Sequence, residues 1–136
     1  MAKFNKFDDF VVQLATGTHD LTSDVLNVYL TNNAPDAATD AIKTDLVGIV
    51  EEHGYVATDI QAAWSATGGV GTITAVNVVY LATGGSFGPF RYAVIYNDTA
   101  VDNNLIGYVD YGSPVTVLVN ETFTVAFGAS LMTITT

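Results

Sequence analysis

Hydrophobic and polar positions alternate with a period of two along most of the chain, and with a helical period only at its start. The strongest pattern lies in residues 84–112, GGSFGPFRYAVIYNDTAVDNNLIGYVDYG, where apolar, aromatic-rich runs at 90–96 and 105–111 flank a polar patch at 97–104. Runs of Tyr, Val, Ile and Phe bounded by Gly, Pro, Asn and Asp predict two strands joined by a loop. In the first run Tyr92, Val94 and Tyr96 share one face, and Ala93 and Ile95 the other. In the second, Ile106 and Tyr108 oppose Leu105, Val109 and Tyr111. Both faces are apolar, which predicts a hairpin covered on both sides at the centre of the fold. Gly84, Gly85, Gly88 and Pro89 predict an irregular approach to it, since Gly supplies unusual φ and Pro removes a ladder donor.

The one stretch of helical period is residues 3–16. Phe4, Phe7, Phe10 or Val11, and Leu14 recur at three and four residues. Asp8 and Asp9 suit the first turn, Asn5 is a candidate cap, and Gly17 can end the helix. Such a helix packs on its own sheet or serves as an arm on a neighbouring subunit, so Phe4, Phe7, Phe10 and Leu14 are candidate contact residues. Strands are predicted within residues 20–31, at 73–81 (buried on both faces apart from Asn77), 115–119, 122–127 and 131–135. Asn120 and Glu121 form a turn. Residues 41–53 carry a helix-like spacing (Ile42, Leu46, Ile49, Val50) that Val47 and Gly48 weaken. Residues 54–63 read as irregular, with a strand near Tyr55 and Val56. Trp64-Ser-Ala-Thr-Gly-Gly and Tyr80-Leu-Ala-Thr-Gly-Gly share a pattern that two equivalent strand-to-turn corners, or chance, would explain. Together these elements predict a mainly β, sandwich or jelly-roll-like domain of about eight strands. Residues 1–20 form its helix or arm, and residues 21–136 the sandwich.

Composition changes this picture in three ways. A chain of 136 residues suits one domain with a proper core, and the absence of Cys excludes disulfides and thiolate metal sites. Four basic residues (Lys3, Lys6, Lys43, Arg91) face fourteen acidic ones, for a net charge of −10, which excludes direct nucleic-acid binding. No apolar run is long enough to cross a membrane and no signal-peptide pattern opens the chain, so a soluble product made in the cytoplasm is expected. Hydrophobic residues make up 49% and charged ones 13%, against about 25% charged in an average domain. Either Thr and Asn clothe a tight sandwich, or an obligate partner surface carries the apolar excess. The scarcity of charge favours the second and predicts an oligomer.

Catalytic constellations fail on inventory. His19 with Asp20, and His53 with Glu51 and Glu52, are the only histidine settings, and their neighbours read as solvated loop and helix-end charges rather than metal ligands. The Gly-rich ATGGSFG lacks the Lys and the following helix of a phosphate loop. Asp36, Asp40, Asp98 and Asp102 match no calcium loop. Asp110, between Val109 and Tyr111, is the only acid in an apolar setting. Arg91, the sole Arg, opens the partner strand opposite residues 110–111, so the two predict a structural ion pair that pins the strand register. Neither enzymatic activity nor a cofactor nor a metal is expected.

ATGGSFGPFRYAVIYNDT, followed by LIGYVDYGSPVTV and ETFTVAF, resembles a family of small virion structural proteins of tailed bacteriophages. FNKFDDFVVQLATGTHDL and SDVLNVYLTNNAP extend the likeness to the N-terminus, while residues 54–80 are less familiar. The chain is most similar to capsid decoration (cement) proteins. That resemblance implies a β-rich, non-enzymatic protein on the outer capsid surface of a virion, made in the bacterial host cytoplasm. It would bind the major capsid protein and copies of itself, for example as a trimer, and stabilise the shell. In this setting Phe4, Phe7, Phe10 and Leu14 become candidate capsid contacts. A negative chain on the outside of a DNA-filled shell is also what electrostatics favours. A tail or head-fibre component is one alternative. A host-glycan-binding module, motivated by Trp64, seven Tyr and the loop acids, is another.

Overall fold

The two apolar runs of the central hairpin become the two longest strands of the protein. The structure is a computed structural model that describes residues 3–135; positions 1, 2 and 136, at the ends of the expected arm and sandwich, lie outside the described residues. In chain order the elements are β1 (Phe4–Lys6), α1 (Asp8–Ala15), β2 (Leu26–Thr31), a single 3₁₀ turn (Lys43–Asp45), β3 (Thr58–Asp59), β4 (Ala63–Thr67), β5 (Val70–Thr74), β6 (Val78–Leu81), β7 (Phe87–Asn97), β8 (Leu105–Val117), β9 (Thr122–Val125) and β10 (Met132–Thr135).

Strand β7 lies in the middle of a five-stranded antiparallel sheet, β1-β8-β7-β2-β3. A three-stranded sheet, β10-β5-β4, and a two-stranded sheet, β6-β9, form a second layer. The inner face of the large sheet (Leu26, Val28, Leu30, Ala93, Ile95) joins Ile73, Tyr80, Val125 and Met132 of the second layer in one buried cluster. Its outer face carries Tyr29, Tyr92, Val94, Tyr96 and Leu105, which Phe7 and Leu46 cover. The hairpin is thus buried on both faces, as its two-sided apolar pattern requires. The fold is mainly β and sandwich-like.

Several elements differ from expectation, each for an identifiable reason. Residues 3–16 are a short strand followed by a shorter helix. Phe4 to Lys6 pair with Val109 to Gly107, and Gly107 is what admits them. A Cβ there would lie 2.2 Å from the Phe4 ring and 2.6 Å from the Asn5 carbonyl. Phe7 is extended at the helix start (φ −78°, ψ 146°), so the spacing of Phe4 and Phe7 is not helical. Asn5 caps nothing; its amide bonds the Lys3 carbonyl at 3.3 Å. Residues 41–53 form a strap in place of a helix, because the Tyr29 hydroxyl engages the Lys43 and Leu46 carbonyls (3.0 and 3.1 Å). Tyr55 is buried, its hydroxyl accepting from the Leu30 amide at 2.8 Å, and the strand of this region lies at Thr58–Asp59.

The expected strand at 73–81 is two strands in different sheets. Between them the Asn77 side-chain Oδ1 accepts from the Phe127 amide at 3.0 Å and fixes the crossing. Gly68 and Gly69, both at positive φ (59° and 80°), close a two-residue hairpin between β4 and β5. With β1 added and the expected strand at 115–119 absorbed into β8, these two features bring the strand number from about eight to ten. Residues 115–117 belong to β8, which continues past a break in register where Tyr92 faces Asp110 but Phe90 faces Val115. The accessible surface, 6831 Å², matches the roughly 6,800 Å² that scaling gives a 14.4 kDa monomer. The apolar excess is therefore a matter of which side chains face outward, and the domain is no more extended than an ordinary one.

Phe10, 2% exposed inside the main cluster, should cost about 3–5 kcal/mol of unfolding free energy when replaced by Ala. Half-buried Phe4 should cost clearly less. Urea denaturation followed by tyrosine fluorescence checks both, and a Phe10→Ala midpoint equal to wild type would contradict this placement.

Candidate functional site

Polar chemistry gathers at three places. The first is the break in the β7–β8 register. Arg91 Nε donates to Asp110 Oδ1 at 2.8 Å and Nη2 to Oδ2 at 3.1 Å, a two-pronged pair. The Gly112 amide donates to the same Oδ1 at 2.7 Å, so Asp110 also holds the turn that makes the break. These donors, Arg91 first, keep its carboxyl below the usual carboxylate range. The pair expected from the sequence is present, and its side chains are 37% and 35% exposed. Alternation would put Arg91 on the inner face with Ala93 and Ile95; the shift in register between Phe90 and Tyr92 leaves it part-exposed beside the Tyr92 ring instead, where water screens it.

The second place is Asn97, wholly buried at the end of β7. Its side-chain nitrogen donates to His19 Nδ1 (2.9 Å) and Asp24 Oδ2 (2.7 Å), and its oxygen accepts from the Thr99 and Ala100 amides. With Nδ1 assigned as acceptor, the His19 proton sits on Nε2, which is buried and has no partner among the described residues. Burial holds the His19 pKa below its ordinary value, against the pull of Asp24 and Asp9. The cluster ties residues 19–24 to the hairpin loop. It works as a clasp, and no nucleophile stands beside it.

The third is a groove of about 440 Å³ under the strap, lined by Tyr29, Lys43, Leu46, Ile49, Glu51 and Tyr55 among others. Lys43 Nζ sits 4.6 Å from the Tyr96 ring centre and 5.4 Å from that of Tyr29. Burial raises the pKa of Tyr29 and Tyr55, so both hydroxyls stay protonated and structural.

Of the contact candidates, Phe7 and Phe10 lie inside the domain, at 1% and 2% exposure, while Phe4 and Leu14 pack against the main cluster. Trp64 covers Gly71, whose Cβ would lie 1.9 Å from its ring. His53 Nδ1 bonds the Ser86 carbonyl at 2.8 Å. The loop acids close turns: the amides of Asp20, Asp36 and Ala41 each donate at 2.8 Å to the carboxylate four residues on, at Asp24, Asp40 and Asp45. Among the described residues no three His, Cys, Asp or Glu side chains gather to hold a metal.

No family model, curated protein or solved structure matches this chain.

One feature of the surface escaped the period-by-period reading of the sequence. Residues 60–90 contain no charged side chain and residues 111–136 contain only Glu121. The first run holds β4, β5 and β6, and the second holds β9 and β10, so the entire second layer is almost without charge. Val79 (60% exposed) and Leu81 (48%) point outward on β6, opposite Thr124 and Thr122 of β9. Leu118 and Val119 (56% and 50%) stand in the turn before β9. Counting charges along the chain would have exposed this; hydrophobic periodicity does not, because each strand alternates normally.

His19 supplies a pH test. A histidine whose folded pKa is lowered contributes stability that is complete above its unfolded value, near 6.5, and is lost as pH falls toward the folded value. Wild type should therefore lose urea stability between pH 7.5 and about 5.5, and His19→Gln should lose less over that window. Identical pH slopes for the two proteins would contradict the clasp.

Proposed function

We propose that the protein is a non-enzymatic structural protein of a virion, a decoration protein that binds the outer capsid surface of a tailed phage and stabilises the shell. The observation that carries this reading is the uncharged second layer, which exposes Val79, Leu81, Leu118 and Val119 while almost all the charge of the chain lies elsewhere. Exposed apolar side chains in a layer with almost no charge of its own are what a protein retains for docking on another protein. The resemblance of the central hairpin to phage virion proteins supplies the kind of assembly, with the major capsid protein and copies of the chain as partners. The polar clusters support a scaffold role, since each is engaged in holding a loop or a register.

Particles purified from cells that carry the gene test the reading by quantitative mass spectrometry. The expected result is this chain in fixed ratio to the major capsid protein, and its selective loss from shells under mild chaotrope. Its absence from purified particles would overturn the proposal, and recovery only with tails would move it to the tail.

A further inference from the structure

His19 is a titratable side chain, 5% exposed, placed where three segments of the chain meet. The Phe10 ring of α1 lies 5.4 Å from its own, and Asn97 at the end of β7 bonds its Nδ1. Asp24 holds the same Asn97 nitrogen. Three contacts fix which way the Asn97 amide points. Its oxygen accepts from the Thr99 and Ala100 amides at 3.0 and 3.1 Å, and the Asp24 carboxylate stands 2.7 Å from its nitrogen. A flipped amide would set oxygen against carboxylate and NH2 against two N–H donors. The orientation is therefore locked, and it dictates the charge of His19. Nδ1 has to be a bare acceptor, so the closed cluster holds only a neutral ring.

Protonation puts a second donor on that 2.9 Å line, and the locked amide cannot rotate to accept it. Two carboxylates act on the ring: Asp24 from its own segment and Asp9 from the first turn of α1. Asp9 Oδ2 and His19 Nε2 are both buried and unpartnered among the described residues, an acceptor and a donor left over in the neutral state. Asp20 is engaged by Thr22, and Asp102 lines a cavity of about 450 Å³ between Thr18 and the Thr99–Ala100 turn. Asp98, the remaining acid of the loop, is tied by its amide to the Val25 carbonyl at 2.9 Å. Residues 8–24 and 97–104 contain no Lys or Arg. We propose that protonation of His19 is a switch that releases the 97–104 hairpin loop from residues 19–24 while the sheet behind it stays folded. The imidazolium draws Asp24 to itself. Asn97, with both acceptors gone, gives up the Thr99 and Ala100 amides to water entering from the cavity. The backbone bonds at the base of the loop, Asn97 to Asn104 and Asp98 to Val25, do not pass through these side chains, so the strand pair survives. Burial outweighs the two carboxylates and holds the folded pKa below its ordinary value. The closed form therefore prevails near neutrality and is lost as pH falls through the folded value.

Nitrogen-15 NMR of the full chain, from about pH 7.5 down to the onset of acid unfolding, is the test. At the upper end the His19 ring should show the neutral tautomer with its proton on Nε2. As the ring titrates, hydrogen-exchange protection factors of the Thr99 and Ala100 amides and the Asn97 side-chain NH2 should fall about tenfold or more. The fall should follow the ring, while Ala93 to Ile95 keep their protection. His53→Gln removes the only other histidine, which bonds the Ser86 carbonyl, and should leave the transition unchanged. His19→Gln carries a carbonyl acceptor at every pH and should abolish it. If that variant fails to fold, the wild-type titration decides alone, because each signal belongs to its own residue. A neutral ring protonated on Nδ1 overturns the proposal, as does a ring that stays neutral until the protein unfolds. So does a titrating His19 with unchanged protection at Thr99 and Ala100, or an equal loss of protection along β7 or in folded His19→Gln.

Discussion

Burial of both faces of the β7–β8 pair is the constraint on which the rest of the molecule depends. Tyr92, Val94 and Tyr96 on one face and Ala93 and Ile95 on the other leave no side of the strand that water can touch cheaply. The inner face is covered by the five strands of the second layer. The outer face has no sheet over it, so the chain covers it with irregular pieces: Phe7 at the start of the helix and the strap that carries Leu46. That need explains why a helix-like stretch became a strap and why a helical arm became a strand with a short helix. Gly107 marks where the Phe4 ring and the Asn5 carbonyl approach too closely for a side chain, and Gly48 where the Tyr29 ring packs tightly on the strap.

Polar groups follow from the same constraint. Irregular cover leaves backbone amides without ladder partners, and nearby side-chain carboxylates and amides take them up as turn acceptors. Asp24, Asp40 and Asp45 supply them by a repeated local closure, and Asn97 supplies two more at the hairpin loop. Much of the acidity of the chain is therefore architectural and collects where the loops are. The second layer is built of short regular strands and tight turns, needs few such acceptors, and remains almost uncharged.

The sequence revealed the central hairpin and its two-sided burial because alternation over 90–96 and 105–111 is long and consistent. It also revealed the Arg91–Asp110 pair, since register follows from loop length. How exposed the pair is was not legible, because that depends on the break in the β7–β8 register beside Asp110 and Gly112. Short elements were poorly legible. Phe4, Phe7 and Phe10 happen to fall at helical spacing although three different local structures place them, and only pairing with Gly107 reveals the strand. The β-branched-rich run at 73–81 hid a change of sheet that depends on the Asn77–Phe127 bond, a contact fifty residues apart. The His19–Asn97–Asp24 clasp was invisible for the same reason: its members meet only in three dimensions.

The central claim is that one layer is a fixed, doubly covered core sheet and that the other, almost without charge, is the surface proposed for docking. Amide hydrogen exchange measured on the free chain and on the chain bound to capsid shells tests it most directly. The account predicts that amides of Ala93 to Ile95 exchange slowest and at the same rate in both. Amides of β6, β9 and the turn at residues 118–121 should gain protection on binding. Protection gained instead in α1 and the 97–104 loop, or none gained anywhere, would contradict it.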